Sequence, residues 1–141
     1  AQVDVAISAW RRGYYLLCDH YNGINFAYLL NVRAAYASQR ADALTDFVTA
    51  RHIREQVIEI ADPNIAALGT IKDIEDSDDR YWVLATKAQA LLGLGQEQAA
   101  ELCLQQADQF AEGWMRTSTQ EQLEKLRTLL KNSPLEGLAA H

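Results

Sequence analysis

The sequence predicts an all-α fold, an irregular tetratricopeptide-like array of six or seven antiparallel helices. Apolar residues recur at helical spacing along most of the 141 residues, no long stretch alternates with period two, and only two prolines interrupt the chain. A chain of this length buries about two-thirds of the surface that is exposed on unfolding. Residues 1–141 are therefore expected to form one domain that needs no disulfide or bound metal to fold. The chain begins at Ala1 rather than Met, which fits either a piece of a longer protein, the interpretation we favour, or a processed start.

The first helix is predicted from apolar residues spaced alternately by four and three: Val3, Ile7, Trp10, Tyr14 and Leu17. Asn22 and Gly23 resist a helix interior and tolerate positive φ, so we expect a tight turn there. The second helix then covers residues 24–38. The third covers residues 41–61 and stops at Pro63, because proline disfavours helical geometry in the residue before it.

Residues 63–77 are predicted to form a short helix or turn and then a loop. The fourth helix is expected to begin near Ser77 or Asp78 and to end at "GLG", where Gly95 suits the left-handed conformation. The fifth helix covers residues 96–112. The sixth is predicted to begin at Ser118 or Thr119, since each precedes a Glu or Gln by three residues, the spacing of a capping box.

Small residues recur where the two helices of a tetratricopeptide repeat touch, because small side chains allow the backbones to approach closely. The clearer copy contains Leu84, Ala88, Leu91, Gly95, Ala100, Leu104 and Ala107. A weaker copy contains Ala27, Asn31, Ala34, Ala43, Phe47 and Ala50. The copies lie roughly 57 residues apart rather than about 34, which predicts an irregular array.

The charge balance and the two cysteines limit the function classes. A net charge of −6 argues against nucleic-acid binding, and no apolar run approaches the ~20 residues that cross a bilayer. Cys18 and Cys103 show no metal or redox spacing, so we interpret both as reduced core thiols in a cytoplasmic protein. A disulfide between them is the open alternative.

No motif in the chain indicates catalysis, a metal or a cofactor. No serine or cysteine lies in a recognisable nucleophile motif, and no glycine-rich loop could cradle a phosphate. The acidic run "KDIEDSDDR" lacks the glycine and the late glutamate of a calcium loop, and the dipole of the following helix explains it. The sequence therefore predicts no enzyme, no bound metal and no cofactor.

Three segments together resemble the TRAFs-binding domain family, found in the central region of apoptosis signal-regulating kinases and in bacterial multidomain proteins. They are "DHYNGINFAYLL", "YWVLATKAQALLGLG" and "WMRTSTQEQLEKL". Two departures are that Asn22 stands where the family has proline, and that "NVRAAYASQRADAL" is longer than the family's link. The resemblance implies a helical, tetratricopeptide-like, non-enzymatic module that holds other proteins.

Two groups of candidate site residues follow from these patterns. Arginines form a basic group in an acidic chain, which is either a solvated face or a contact for an acidic partner. Together with two aromatic residues, these arginines make up the candidate partner-binding residues: Arg33, Tyr36, Arg40, Arg51, Arg54 and Trp114. The second group is either a structural hinge or a small polar pocket, with Trp82 itself predicted to lie in the core: Asp19, Tyr21, Asn22, Gly23, Asn25, Trp82 and Thr86.

The first functional hypothesis is a non-catalytic protein–protein interaction or scaffolding module in a signalling or regulatory protein. Its partner would be another protein or a neighbouring domain of the same chain, with neither nucleic acid nor membrane involved. The alternative is a ligand-sensing regulatory domain with a small pocket near Tyr21 and Asn25. A structural spacer is a third possibility, and the sequence fixes neither the partner nor the oligomeric state.

Overall fold

The computed structural model describes residues 2–68 and 75–134, apart from the side chains of residues 75–77. Within those ranges the chain is helical and has no strand, which confirms the all-α part of the prediction. The described residues form six α-helices: α1 (Gln2–Leu17), α2 (His20–Tyr36), α3 (Arg40–Leu68), α4 (Glu75–Gly93), α5 (Glu97–Ala107) and α6 (Gly113–Lys131). A short 3-10 helix, Asp108–Phe110, follows α5.

Successive helices pack against each other in an up-and-down order. Arg33, late in α2, pairs with Asp46, early in α3, whereas Gly23, early in α2, lies against Val57, late in α3. Contacts run in the same inverse order between α1 and α2, α3 and α4, and α4 and α5. Helix α6 packs against α4 in the same direction, with its early residues Met115 and Thr119 at Tyr81. Each helix is therefore antiparallel to the one before it.

Two main groups of buried side chains hold the array together. One joins α1, α2 and α3 with one residue of α4: Ile7, Tyr14, Ile24, Phe26, Ala27, Leu30, Ala50, Ile53, Val57 and Ala90. The other joins α4, α5 and α6: Ala88, Leu91, Leu92, Ala100, Cys103, Leu123 and Leu126. The alanines lie where neighbouring helices meet, so the backbones approach closely there.

The turn between α1 and α2 lies earlier than predicted, at Cys18, which has a φ of 48°. Asp19 caps α2 by accepting hydrogen bonds from the backbone N and the side-chain Nδ2 of Asn22, at 2.7 and 2.8 Å. The prediction that Asn22 and Gly23 form the turn is therefore wrong. Gly23 lies within α2, where a Cβ would come within 2.6 Å of Val57 and 2.9 Å of Tyr14.

Helix α3 continues through Pro63 to Leu68, so the prediction that Pro63 ends it is wrong. Proline removes one backbone hydrogen bond and crowds the preceding turn. Here the side-chain Nδ2 of Asn64 donates to the carbonyl of Ile60 at 3.1 Å, and Asp62 pairs with Lys87 of α4 at 2.6 Å. Contacts with another helix therefore hold this segment in a helical conformation, while residues 69–74 lie outside the described ranges.

The end of α4 is as predicted. Gly95 has a φ of 81°, and the backbone N–H groups of Gly95 and Gln96 donate to the carbonyls of Leu92 and Leu91, both at 2.9 Å. This is the hydrogen-bond pattern of a Schellman motif, in which glycine occupies the left-handed position. The carbonyls at the end of α4 are thereby satisfied.

Helix α6 begins at Gly113, five residues before the predicted start, so neither predicted capping box exists. Thr119 is instead buried within α6, where its hydroxyl lies 2.6 Å from the hydroxyl of Tyr81 on α4. That hydroxyl of Tyr81 also donates to the carbonyl of Met115 at 3.0 Å. The polar residues that suggested a helix start therefore serve a contact between helices.

Candidate functional site

The guanidinium of Arg33 makes three hydrogen bonds to carboxylates of this chain. Its Nε and Nη2 donate to the two carboxylate oxygens of Asp46 at 2.8 and 2.9 Å, and its Nη1 donates to Asp4 at 3.1 Å. These hydrogen bonds with Asp46 raise the pKa of Arg33. Because two carboxylates already neutralise its charge, Arg33 ties α1, α2 and α3 together.

Arg54 lies in the interior, so the prediction of a single solvated basic face is wrong for this residue. It is 1% exposed, and its Nη2 donates to the side-chain Oδ1 of Asn31, itself fully buried, at 2.5 Å. The Nε of Arg54 and the Nδ2 of Asn31 have no hydrogen-bond partner within the described ranges. Burial, with a smaller effect from Arg51, lowers the pKa of Arg54 to about 10.

A glycine makes the space for this buried arginine. A Cβ on Gly93 of α4 would collide with Nε, Cδ and Cζ of Arg54. Arg54 therefore crosses from α3 to the end of α4 and reaches Asn31 of α2 on its way. Three helices thus meet around one polar pair.

The remaining candidate partner-binding residues are accessible. Tyr36 is 84% exposed and Trp114 60% exposed, whereas Arg40 is exposed and Arg51 half-buried. Tyr36 lies beside a shallow polar hollow of about 490 Å³, lined by Arg33, Tyr36, Ala37, Ser38, Asp42, Thr45 and Asp46. A partner can reach these side chains without any change in the fold.

The candidate residues at the start of α2 make contacts within the protein itself. The Nδ2 of Asn25 donates to the carbonyl of Tyr21 one turn earlier, at 2.8 Å, and the Tyr21 ring packs edge-on against Trp10 at 5.5 Å. The side chain of Asn22 lies so close to α1 that a Cβ on Gly13 would come within 2.7 Å of its Oδ1. Together with the cap at Asp19, these contacts fix how α1 meets α2.

Trp82 and Thr86 lie on α4, apart from the start of α2. Trp82 is partly buried between the rings of Tyr81 and Trp114, at 5.0 and 5.9 Å, and Thr86 is buried. Among the described residues, no hydrogen bond or ring contact joins either of them to Tyr21 or Asn25. The structure does not bring the second group of candidate residues together.

An apolar surface on α1 was not predicted from the sequence. Its outer surface carries four large apolar side chains, 62–75% exposed: Val5, Tyr15, Leu16 and Leu17. Leu17 was predicted to lie on the buried stripe, and Cys18 beside it is also exposed, whereas Cys103 is buried as predicted; both thiols are free. The signal available in the sequence was the run "YYLLC", which is too apolar for one buried side of a helix.

By contrast, the outward side of α6 is polar except for Trp114. Its exposed residues beyond that position are Arg116, Thr117, Ser118, Gln120, Glu121, Gln122, Glu124, Lys125, Arg127, Thr128 and Lys131. The outward side of α6 is therefore suited to water, whereas α1 exposes apolar side chains. Terminal helices of helical arrays need a polar outer surface when nothing covers them.

Residues 2–68 and 75–134 contain no group of three or more His, Cys, Asp or Glu side chains that is arranged to hold a metal ion. None of the helices in that part of the chain has the length and apolar character needed to cross a membrane. No family model, curated protein or solved structure matches this chain.

Proposed function

We propose that this chain is a non-catalytic protein–protein interaction or scaffolding module, built as a tetratricopeptide-like array. Small residues at the contacts of α2 with α3 and of α4 with α5 support this arrangement, since Ala27, Ala34, Ala50, Ala88 and Ala100 are all buried. Consecutive antiparallel helices of this kind present an extended surface to a partner. The resemblance of three segments to the TRAFs-binding domain family supports the same role.

The observation that carries the proposal is the exposed apolar outer surface of α1. Val5 and Leu16 are three helical turns apart and lie on the same side, and Tyr15 and Leu17 flank Leu16. Large apolar side chains exposed together mark interaction sites more often than single ones do. Tyr36 and Arg40 extend the set of accessible candidate contacts beyond α1.

A pair of matched variants tests the proposal. Leu16 and Leu102 are both leucines on helix surfaces, 75% and 61% exposed, but Leu102 lies on α5. In affinity purification from the source cells, Leu16→Glu is expected to lose a partner that the unmodified domain and Leu102→Glu both retain. A charge placed in the centre of an interface weakens binding by roughly thirtyfold or more, about 2 kcal/mol.

Equal recovery with both variants would contradict a role for α1, and recovery of no specific protein by the unmodified domain would contradict the interaction function. Circular dichroism of each variant shows whether the helices are intact. Tyr36→Ala, in the same experiment, tests whether the surface near Arg40 also takes part. A specific loss with Tyr36→Ala alone would move the interface to the α2–α3 end of the array.

A further inference from the structure

A stripe of four exposed residues runs along the outward side of α1, and no helix of the described residues covers it. The four follow one another at intervals of four, three and four residues, and we call them the α1 seam: Val5, Ala9, Arg12 and Leu16. Since an α-helix turns once in about 3.6 residues, these positions form one narrow stripe along the helix axis. Alternating intervals of four and three residues are the contact pattern of two paired helices. The α1 seam therefore has the spacing that a second helix fits.

The side of α1 opposite the seam is the one that packs into the array. Ile7 and Tyr14 are 1% and 5% exposed and belong to the core shared with α2 and α3. Val5 and Leu16, by contrast, are 72% and 75% exposed. Helical arrays extend by packing each new helix against the exposed side of its neighbour. The α1 seam thus lies at an edge of the array, where a further helix would pack.

The middle of the seam allows another backbone to approach closely. Ala9 and its neighbour Ser8 are both exposed, and small side chains at a contact let helix axes come close together. Val5 and Leu16 lie on either side of Ala9, roughly 16 Å apart along the helix axis. Two apolar contacts with a small residue between them suit a partner helix of about three to four turns.

The seam also carries positive charge that the described part of the chain does not neutralise. Arg11 and Arg12 lie near the middle of α1, both are exposed, and neither forms an ion pair among the described residues. Asp4 is the one acidic residue in the sequence of α1, and it pairs with Arg33 at 3.1 Å. In a chain with a net charge of −6, this is a local excess of positive charge. An acidic group on a partner complements it.

A second copy of this chain fits the seam poorly. Two copies would meet about a two-fold axis, so each would present the same seam to the other. Arg12 of both copies would then lie in the contact without a carboxylate from either seam. Like charges brought together in an interface oppose association. The charge of the seam therefore favours a different protein as its partner.

We propose that the α1 seam binds an amphipathic helix of another protein, with an acidic residue between the apolar residues of its contact side. This inference rests on the proposed interaction function and names the kind of partner. The apolar side chains of the partner pack on Val5 and Leu16, and its backbone approaches over Ala9. Its carboxylate pairs with Arg12, because a charged residue within a helix seam selects partners that carry the complementary charge.

The test uses two synthetic peptides, titrated into the purified domain and followed by fluorescence anisotropy. Both have the 16-residue length of α1, leucines at the outer contact positions and a hydrocarbon staple on the opposite side, because isolated helices of this length are marginal in water. The acidic peptide has glutamate at the central contact positions, and the basic peptide has lysine there. We expect the acidic peptide to bind with a dissociation constant below ~1 mM, at least about tenfold more tightly than the basic peptide.

Two pairs of matched variants address the seam itself. Arg12→Glu is expected to weaken binding of the acidic peptide by roughly tenfold or more and to strengthen binding of the basic one. The control Arg127→Glu makes the same change on the outward side of α6 and leaves both affinities unchanged. Leu16→Glu is expected to weaken binding of the acidic peptide, whereas Leu102→Glu does not. All four positions are exposed, and circular dichroism verifies that each variant is folded.

Equal affinity for the two peptides, or a preference that Arg12→Glu leaves in place, would overturn the acidic partner. Absence of saturable binding of the acidic peptide would overturn it as well. Dimers of the domain in sedimentation equilibrium that disappear in Leu16→Glu would mean that a second copy covers the seam, which also contradicts the proposal.

The proposed interaction function fails by a different result. It fails when the unmodified domain recovers no specific protein from the source cells, an experiment that uses neither peptide. A cellular partner that is lost with Leu16→Glu but retained by Arg12→Glu would keep the interaction function and reject the acidic helix. The two proposals are therefore tested separately.

Discussion

Replacing the buried pair Asn31 and Arg54 by apolar residues of similar size is expected to stabilise the fold. Both side chains are essentially inaccessible, and Arg54 is charged without a carboxylate partner within the described ranges. Buried charges are often retained at a net cost in free energy, and well-packed apolar replacements remove that cost. The perturbation is the double variant Asn31→Leu with Arg54→Met.

The magnitude follows from the pKa of Arg54. Burial lowers this pKa to about 10, below the usual value of an arginine, and each pKa unit corresponds to about 1.4 kcal/mol, so charging Arg54 in the folded state costs about 3 kcal/mol. We therefore expect the free energy of unfolding of the double variant to rise by about 1–4 kcal/mol. Arg54→Met alone leaves the buried Asn31 amide without its hydrogen-bond partner, which costs about 1–3 kcal/mol. Because this cost offsets the gain from removing the buried charge, the free energy of unfolding of the single variant is expected to change little.

Urea unfolding followed by circular dichroism measures these differences, and Asn31→Leu alone completes the double-mutant cycle. Below pH 10 the folded and unfolded states both keep the Arg54 proton, so the difference between wild type and double variant is constant. Above pH 10 the unfolded wild type binds more protons than the folded protein, so the stability of the wild type rises with pH and its difference from the double variant narrows. A double variant that is less stable than wild type by more than ~1 kcal/mol would refute the reasoning.

Three further predictions concern single positions, all measured by urea unfolding. Gly23→Ala is expected to lower the free energy of unfolding by about 1–3 kcal/mol, because its Cβ would press on Val57, whereas Gly113→Ala, with nothing within 4 Å, is expected to be neutral or slightly stabilising. Gly95→Ala is expected to cost about 1 kcal/mol because its φ of 81° strains an L-residue; a cost no larger than that of Gly113→Ala would contradict this. Burial lowers the pKa of His20, so the free energy of unfolding is expected to fall as the pH drops through the folded-state pKa of this residue. The free energy of unfolding of His20→Gln should fall less over the same pH range. Parallel plots of unfolding free energy against pH for the two proteins would contradict this prediction.

The helices themselves were predictable because apolar periodicity is local. All six α-helices fall on predicted helical segments, and the left-handed Gly95 marks the end of α4 as expected. The predicted helix ends were wrong where contacts between residues distant in sequence override the local conformational preference. Pro63 was expected to end α3, but burial of Ala61 and packing of Ile65 against Tyr81 and Leu84 of α4 favour continuation of the helix past it.

The sites were much less predictable than the helices. Charge suggested that Arg54 is solvated, because charged residues are rarely buried. Its burial depends on Asn31 and Gly93, which lie on two other helices and share no local pattern with it.

Site-specific photo-cross-linking from α1 tests the central claim, that this array works through an exposed surface, most directly. A benzophenone amino acid replaces Leu16 in one protein and Leu102 in another, and both are illuminated in the source cells. The account predicts one discrete protein adduct from position 16 that is absent from position 102. Identical adducts from both positions, or none from position 16 in a folded protein, would contradict it.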